Sequence, residues 1–101
     1  NEHYKYCFGI ISPNGLEAKE IILSFDPFQG KYIKSLPLHE TQEILADNES
    51  ELKIKLKLCT SFDFIMEILS FGENVKVIAP ESLINEMKRA YHNAINLYGE
   101  E

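Results

Sequence analysis

The sequence predicts an α+β domain: a four-stranded antiparallel sheet built in the order β-α-β-β-α-β, followed by one long helix. Three observations predict it. Leu52, Ile54, Leu56 and Leu58 alternate strictly with Lys53, Lys55 and Lys57, the period of a strand with one buried face. Asp26-Pro27 and Thr60-Ser61 are helix-start signals, and each directly follows an alternating apolar run. From Leu83 to Tyr98 apolar residues recur at the helical period.

The elements follow in order. In residues 4–11, Tyr4, Tyr6, Phe8 and Ile10 alternate with Lys5 and Cys7, which reads as a strand or an extended linker. Ser12-Pro13-Asn14-Gly15 is a turn, because Pro presets φ and Asn-Gly accepts positive φ. Residues 17–25 form the first strand of the domain, with Ile21, Leu23 and Phe25 on one side and Glu20, Ile22 and Ser24 on the other. Asp26 caps a short helix that Pro27 opens and Pro37 stops, with Tyr32, Ile33 and Leu36 on its inner face. Residues 41–46 form a second strand, Asp47 to Ser50 a polar hairpin loop, and residues 51–58 the lysine-striped third strand.

Thr60 or Ser61 caps the next helix, and Asp63 in its first turn suits the helix dipole. Phe62, Ile65, Met66, Ile68 and Leu69 make its apolar stripe, and Gly72 ends it in a left-handed cap. Residues 75–79 form a short strand. Pro80 opens the last helix, whose apolar set is Leu83, Ile84, Met87, Ala90, Tyr91, Ala94, Ile95 and Tyr98. This order is the split βαβ, or ferredoxin-like, arrangement with a helix added. The first and third strands are central, so the lysines of the third face away from the two helices.

Composition bounds the function. The chain has 101 residues, enough for one domain, and a formal net charge of −6. A domain that grips nucleic-acid backbone is usually basic, and here Arg89 is the only arginine. DNA contact is therefore assigned elsewhere. Cys7 and Cys59 make no framework or metal spacing and read as reduced thiols of a cytoplasmic protein. No apolar run reaches membrane-spanning length, and no signal-peptide pattern is present. Because the chain begins with Asn1 rather than Met, it reads as part of a longer protein.

Four stretches carry a family resemblance. Ile21-Ile22-Leu23-Ser24-Phe25-Asp26-Pro27 is a strand ending in an apolar-x-Phe-x-Pro pattern, and Pro37-Leu38-His39-Glu40-Thr41-Gln42 follows a Pro-x-His-x-Ser-Gln signature with Thr41 in the serine position. Ile68-Leu69-Ser70-Phe71-Gly72 is a Leu-Ser-Phe-Gly helix end, and Val75-Lys76-Val77-Ile78-Ala79-Pro80 with Leu83 is a final strand and helix start. In this order they resemble the WCX region, the C-terminal extension of bacterial WYL-domain transcriptional regulators. Ser24 departs from a basic residue common in the family, and Glu67 from an aromatic one. The resemblance implies that residues 17–101 are the WCX-like domain and residues 1–16 a linker or strand from a preceding WYL domain. It also implies a module that helps assemble a homodimer and transmit the sensing of an unidentified effector. DNA would be bound only by an N-terminal helix-turn-helix outside this sequence.

The candidate contact residues are His39 and Gln42 in the helix-to-strand loop, Lys53, Lys55 and Lys57 on the third strand, and Arg89. The interface candidates are Tyr4, Tyr6, Phe8, Tyr91 and Tyr98. Each has a plainer reading beside it. His39 ties its loop to nearby backbone, the lysines form a solvated face that discourages sheet-to-sheet association, and the aromatics are core. His3, His39 and His92 match no metal spacing, so neither metal nor cofactor is expected.

Catalysis is not expected either, since no phosphate loop, nucleophile elbow or HExxH motif occurs. Acylphosphatase shares the topology but holds its anion with an arginine after the first strand, where this chain reads Asp26-Pro27-Phe28-Gln29-Gly30. Two alternatives stand beside the regulatory reading. One is a stand-alone small-molecule sensor of ACT type. The other is an accessory single-stranded nucleic-acid domain using Lys53, Lys55 and Lys57, although aromatic stacking residues are missing from that strand.

Overall fold

A computed structural model describes residues 18–99. The expected strand or linker at residues 4–11, the boundary at residue 16, and His3, Tyr4, Tyr6, Cys7 and Phe8 lie outside the described residues.

Strand β1 (Lys19–Phe25) leads into helix α1 (Pro27–Ser35), followed by β2 (Glu43–Asp47), β3 (Leu52–Leu58), helix α2 (Phe62–Ser70), a 3-10 turn (Gly72–Asn74), β4 (Val75–Ala79) and helix α3 (Glu81–Leu97). The strands form one antiparallel sheet in the order β2-β3-β1-β4. The domain is thus α+β with the split βαβ order and an added C-terminal helix, as the alternation predicts.

Central β1 and β3 pair over their whole length, Ile21 opposite Leu56, Ile22 opposite Lys55 and Leu23 opposite Ile54. That register puts Ile21, Leu23, Phe25, Leu52, Ile54, Leu56 and Leu58 on one side, where all are buried. Ile33 of α1, Leu38, Phe64 and Ile68 of α2, and Leu83 and Met87 of α3 close the same core. A one-residue slip would turn the lysines inward, so the pattern itself selects the register.

The helix starts follow their caps. Asp26 accepts a 2.7 Å bond from the Gln29 amide, with Pro27 opening α1. Ser61, not Thr60, caps α2 by accepting from the Phe64 amide at 3.3 Å. Gly72 has φ +58, the left-handed end that its position after Phe71 predicts. Phe71 then packs edge-on against Phe25 at 5.3 Å between ring centroids, holding the turn beneath the end of β1.

Four local expectations are corrected. On α1 the buried residues are Gly30 and Ile33, whereas Tyr32 and Leu36 are exposed. The cause is a close approach: a Cβ added to Gly30 would lie 2.9 Å from the Leu52 Cβ, so the helix seats on its glycine and turns Tyr32 away. On α2 the buried pair is Phe64 and Ile68, and Phe62 and Met66 face outward. Strand β2 starts at Glu43 rather than residue 41, because the Gln42 amide closes a turn onto the His39 carbonyl at 3.1 Å. Pro80 precedes α3 as its cap residue instead of opening it. Among the described residues no helix is long and apolar enough to cross a membrane.

Candidate functional site

The loop between α1 and β2 is held by its own side chains. The Gln42 Oε1 accepts from the Leu38 amide at 2.9 Å, and its Nε2 donates to the Ile33 carbonyl at 3.2 Å. One side chain thus ties the end of α1 to the loop that follows it. His39 is buried, and its Nδ1 accepts from the Thr41 amide at 3.2 Å. Thr41 Oγ1 accepts from the Lys57 amide at 3.0 Å and has two acceptors for its own proton, His39 Nδ1 at 2.8 Å and the Lys57 carbonyl at 3.3 Å. The threonine hydroxyl therefore continues the β2–β3 ladder beyond its last backbone pair. The Pro-x-His-x-Thr-Gln stretch is a latch joining α1, the loop and β3. Thr41, which stands in the serine position of the signature, is its central residue.

The lysine face lies on the side of the sheet away from the core, as the alternation predicts. Its charges are met by acids. Lys55 lies 3.8 Å from Glu43 and Lys53 lies 4.0 Å from Glu51, which also accepts a 2.6 Å bond from Ser24. Lys57 is registered opposite Glu20 on β1. Strand periodicity shows which lysines share a face but not which acids its neighbours supply.

The structure brings Gln42, Lys55 and Lys57 together with Glu20, Glu40 and Glu43 around a shallow open groove of about 410 Å³. His39 sits behind that groove through its bond to Thr41, which also lines it. Lys53 lines no part of it. Arg89 stands apart on α3, where it pairs with Glu86. His92 is exposed on the same helix. Among the described residues no cluster of His, Cys, Asp or Glu is arranged to hold a metal ion.

The two ends of α3 differ. Leu83 and Met87 enter the core and the helix packs along β4. Beyond them the same apolar stripe runs into solvent: Tyr91, Ile95 and Tyr98 are all exposed, Tyr98 by 87%. These three side chains, with Ala94, Gly72 and Glu73, line an almost wholly apolar groove of about 330 Å³. The Tyr91 hydroxyl donates to the Gly72 carbonyl at 3.4 Å, and partial burial raises its pKa above the ordinary tyrosine value.

No curated protein matches the chain. The WCX domain family matches residues 17–95, which take in all four strands, α1, α2 and all but the end of α3. The loop latch, the Gly72 helix end and the final strand all fall within that span, and on this match the chain belongs to the WCX domain family, whose general association is with WYL-type transcriptional regulators.

Proposed function

We propose that this domain is a regulatory and assembly module without catalytic activity of its own, and that it helps a WYL-type regulator form a homodimer and relay effector sensing. The observation that carries the reading is the exposed apolar second half of α3. Tyr91, Ile95 and Tyr98 continue the stripe whose first half is buried, and they border an apolar groove. Exposed apolar surface of this extent marks a contact site more often than a monomer's ordinary surface. DNA binding then belongs to another domain of the regulator, in keeping with the net charge of −6.

The nucleic-acid alternative loses support from the electrostatics. Lys53 and Lys55 each have a carboxylate within 4.0 Å, so the strand offers phosphate much less than three lysines would suggest. The small-molecule alternative keeps one feature in its favour, the groove in which Lys55 and Lys57 meet three glutamates. It suits a small ligand carrying both charges.

The test is deletion of this region from the full regulator, followed by light scattering and an effector-response assay. Loss of the dimer or of the response is expected, and a regulator unchanged in both overturns the reading. A metabolite thermal-shift screen on the chain separates the sensor alternative, which requires a concentration-dependent rise in melting temperature.

A further inference from the structure

We infer that α3 pairs antiparallel with α3 of a second copy of this chain about a two-fold axis at Tyr91, so that the exposed second half of each helix fills the hollow beside the first half of the other. The inference rests on the assembly reading above and names the partner and the pairing that reading leaves open.

The stripe is symmetric in its spacing. Ile84 and Met87 stand seven and four residues before Tyr91, and Ile95 and Tyr98 stand four and seven after it. Lys88 and Ala94 stand three before and three after. Residues at these intervals share one face of a helix. Turned end for end about Tyr91, that face meets itself with Tyr98 over Ile84 and Ile95 over Met87. The shape of the surface fits this pairing. Between β4 and α3, Val75, Val77, Ile84, Met87 and Tyr91 wall a mainly apolar hollow of about 240 Å³. Tyr91 is also a wall of the groove at Ile95 and Tyr98, so the two adjoin. At the first half the stripe is recessed, with Met87 6% exposed, and at the second it projects, with Ile95 49% and Tyr98 87% exposed. A two-fold contact must be complementary to itself, and each copy here offers a hollow at one end and protruding side chains at the other.

Charge selects the occupant and its direction. Lys76 and Lys88 border the hollow at the first half, and Glu73 borders the groove at the second. Among the described residues none of these three lies in an ion pair within the chain. Antiparallel pairing lays Lys88 over Ala94 of the other copy, whose Glu73 lines the same groove as that alanine, and does so twice. A parallel pair would set lysine against lysine and glutamate against glutamate, and like-charge contacts across an interface are costly. The extent is also sufficient. Tyr91, Ile95 and Tyr98 with the walls of the hollow present roughly 400 Å² of apolar surface. A standard interface buries about 800 Å² per partner, a little over half of it apolar, so the stripe supplies about the apolar share of one.

Sedimentation equilibrium of the chain from micromolar to millimolar concentration tests this. A dimer is expected. Ile95→Glu and Tyr98→Glu should each raise its dissociation constant at least about 30-fold, while Tyr32→Glu on the exposed face of α1 leaves it within a factor of about three. Circular dichroism melts check that the exposed substitutions leave the fold intact. Should a variant unfold, Lys88→Glu is the second route: it should weaken the dimer about tenfold, and Glu73→Lys in the same chain should restore it. A dimer weakened by Ile95→Glu but showing no rescue between Lys88→Glu and Glu73→Lys overturns the antiparallel pairing and leaves α3 as the contact, so the assembly reading stands. A dimer unmoved by Ile95→Glu and Tyr98→Glu, or one abolished by Tyr32→Glu alone, moves the contact off α3 and overturns the pairing. A chain monomeric at every concentration overturns it too, and the deletion experiment on the full regulator then judges the assembly reading separately.

Discussion

The two faces of the sheet, read along β3, are stabilised in different ways. Leu52, Ile54, Leu56 and Leu58 are buried against three helices, and their contribution comes from apolar area removed from water and from close packing. Lys53 and Lys55, on alternate positions, sit half-exposed beside carboxylates at 4.0 and 3.8 Å. Exposed pairs at such distances contribute from nothing to about 1 kcal/mol, because water screens them and ordering long side chains costs entropy. Seven consecutive residues thus hold the fold together with every second side chain. The others keep the uncovered face hydrated and close to electrically balanced, and a sheet so dressed is a poor platform for phosphate.

The largest test of that contrast is Leu56→Ala against Lys55→Ala. The first should lower the unfolding free energy by about 2–5 kcal/mol, a large share of what a domain this size possesses. The second should change it by less than about 0.5 kcal/mol. Urea denaturation measures both, and comparable losses would break the comparison.

Thr41→Val sharpens it at the rim where the two faces meet. The valine leaves the Lys57 amide without its acceptor and should cost about 1–2 kcal/mol, while Thr41→Ser keeps the oxygen and most of the stability. A loss in Thr41→Ser with none in Thr41→Val would show that the methyl group, not the hydroxyl, secures the latch.

The smallest effect is expected at Tyr91, where desolvation raises the hydroxyl pKa above its ordinary value of 10.0. The native state then holds its proton more tightly than the unfolded chain. The associated stability is fully present below about pH 10 and is lost as pH rises through the raised value. Replacing Tyr91 with Phe should flatten that part of the stability–pH curve, and an unchanged curve would place the loss on other groups.

Legibility varied by element for a physical reason. Strand β3 was readable because its two faces carry opposite residue types, leaving one consistent orientation. Helices α1 and α2 were misread because each is only nine residues long with apolar side chains on more than one side. Phe62 and Phe64 are chemically equal candidates for the core, and only the seating of the helix separates them. On α1 the deciding residue was Gly30, whose missing side chain lets the backbone approach Leu52. Periodicity scores attract side chains and passes over a glycine. The loop site was legible in part: the Pro-x-His-x-Thr-Gln pattern identified the segment, while the role of Thr41 depended on a strand sixteen residues away.

The sequence by itself determined the order of elements, the topology class, the caps at Asp26 and Gly72, and which face of β3 is apolar. These rest on neighbours along the chain, where spacing and backbone preference act directly. Only the tertiary structure decided which stripe of each helix is buried, which acids meet the lysines, and where along α3 the core ends. Each of these depends on what a distant segment presents, and an amphipathic pattern states that a face needs covering without stating what covers it.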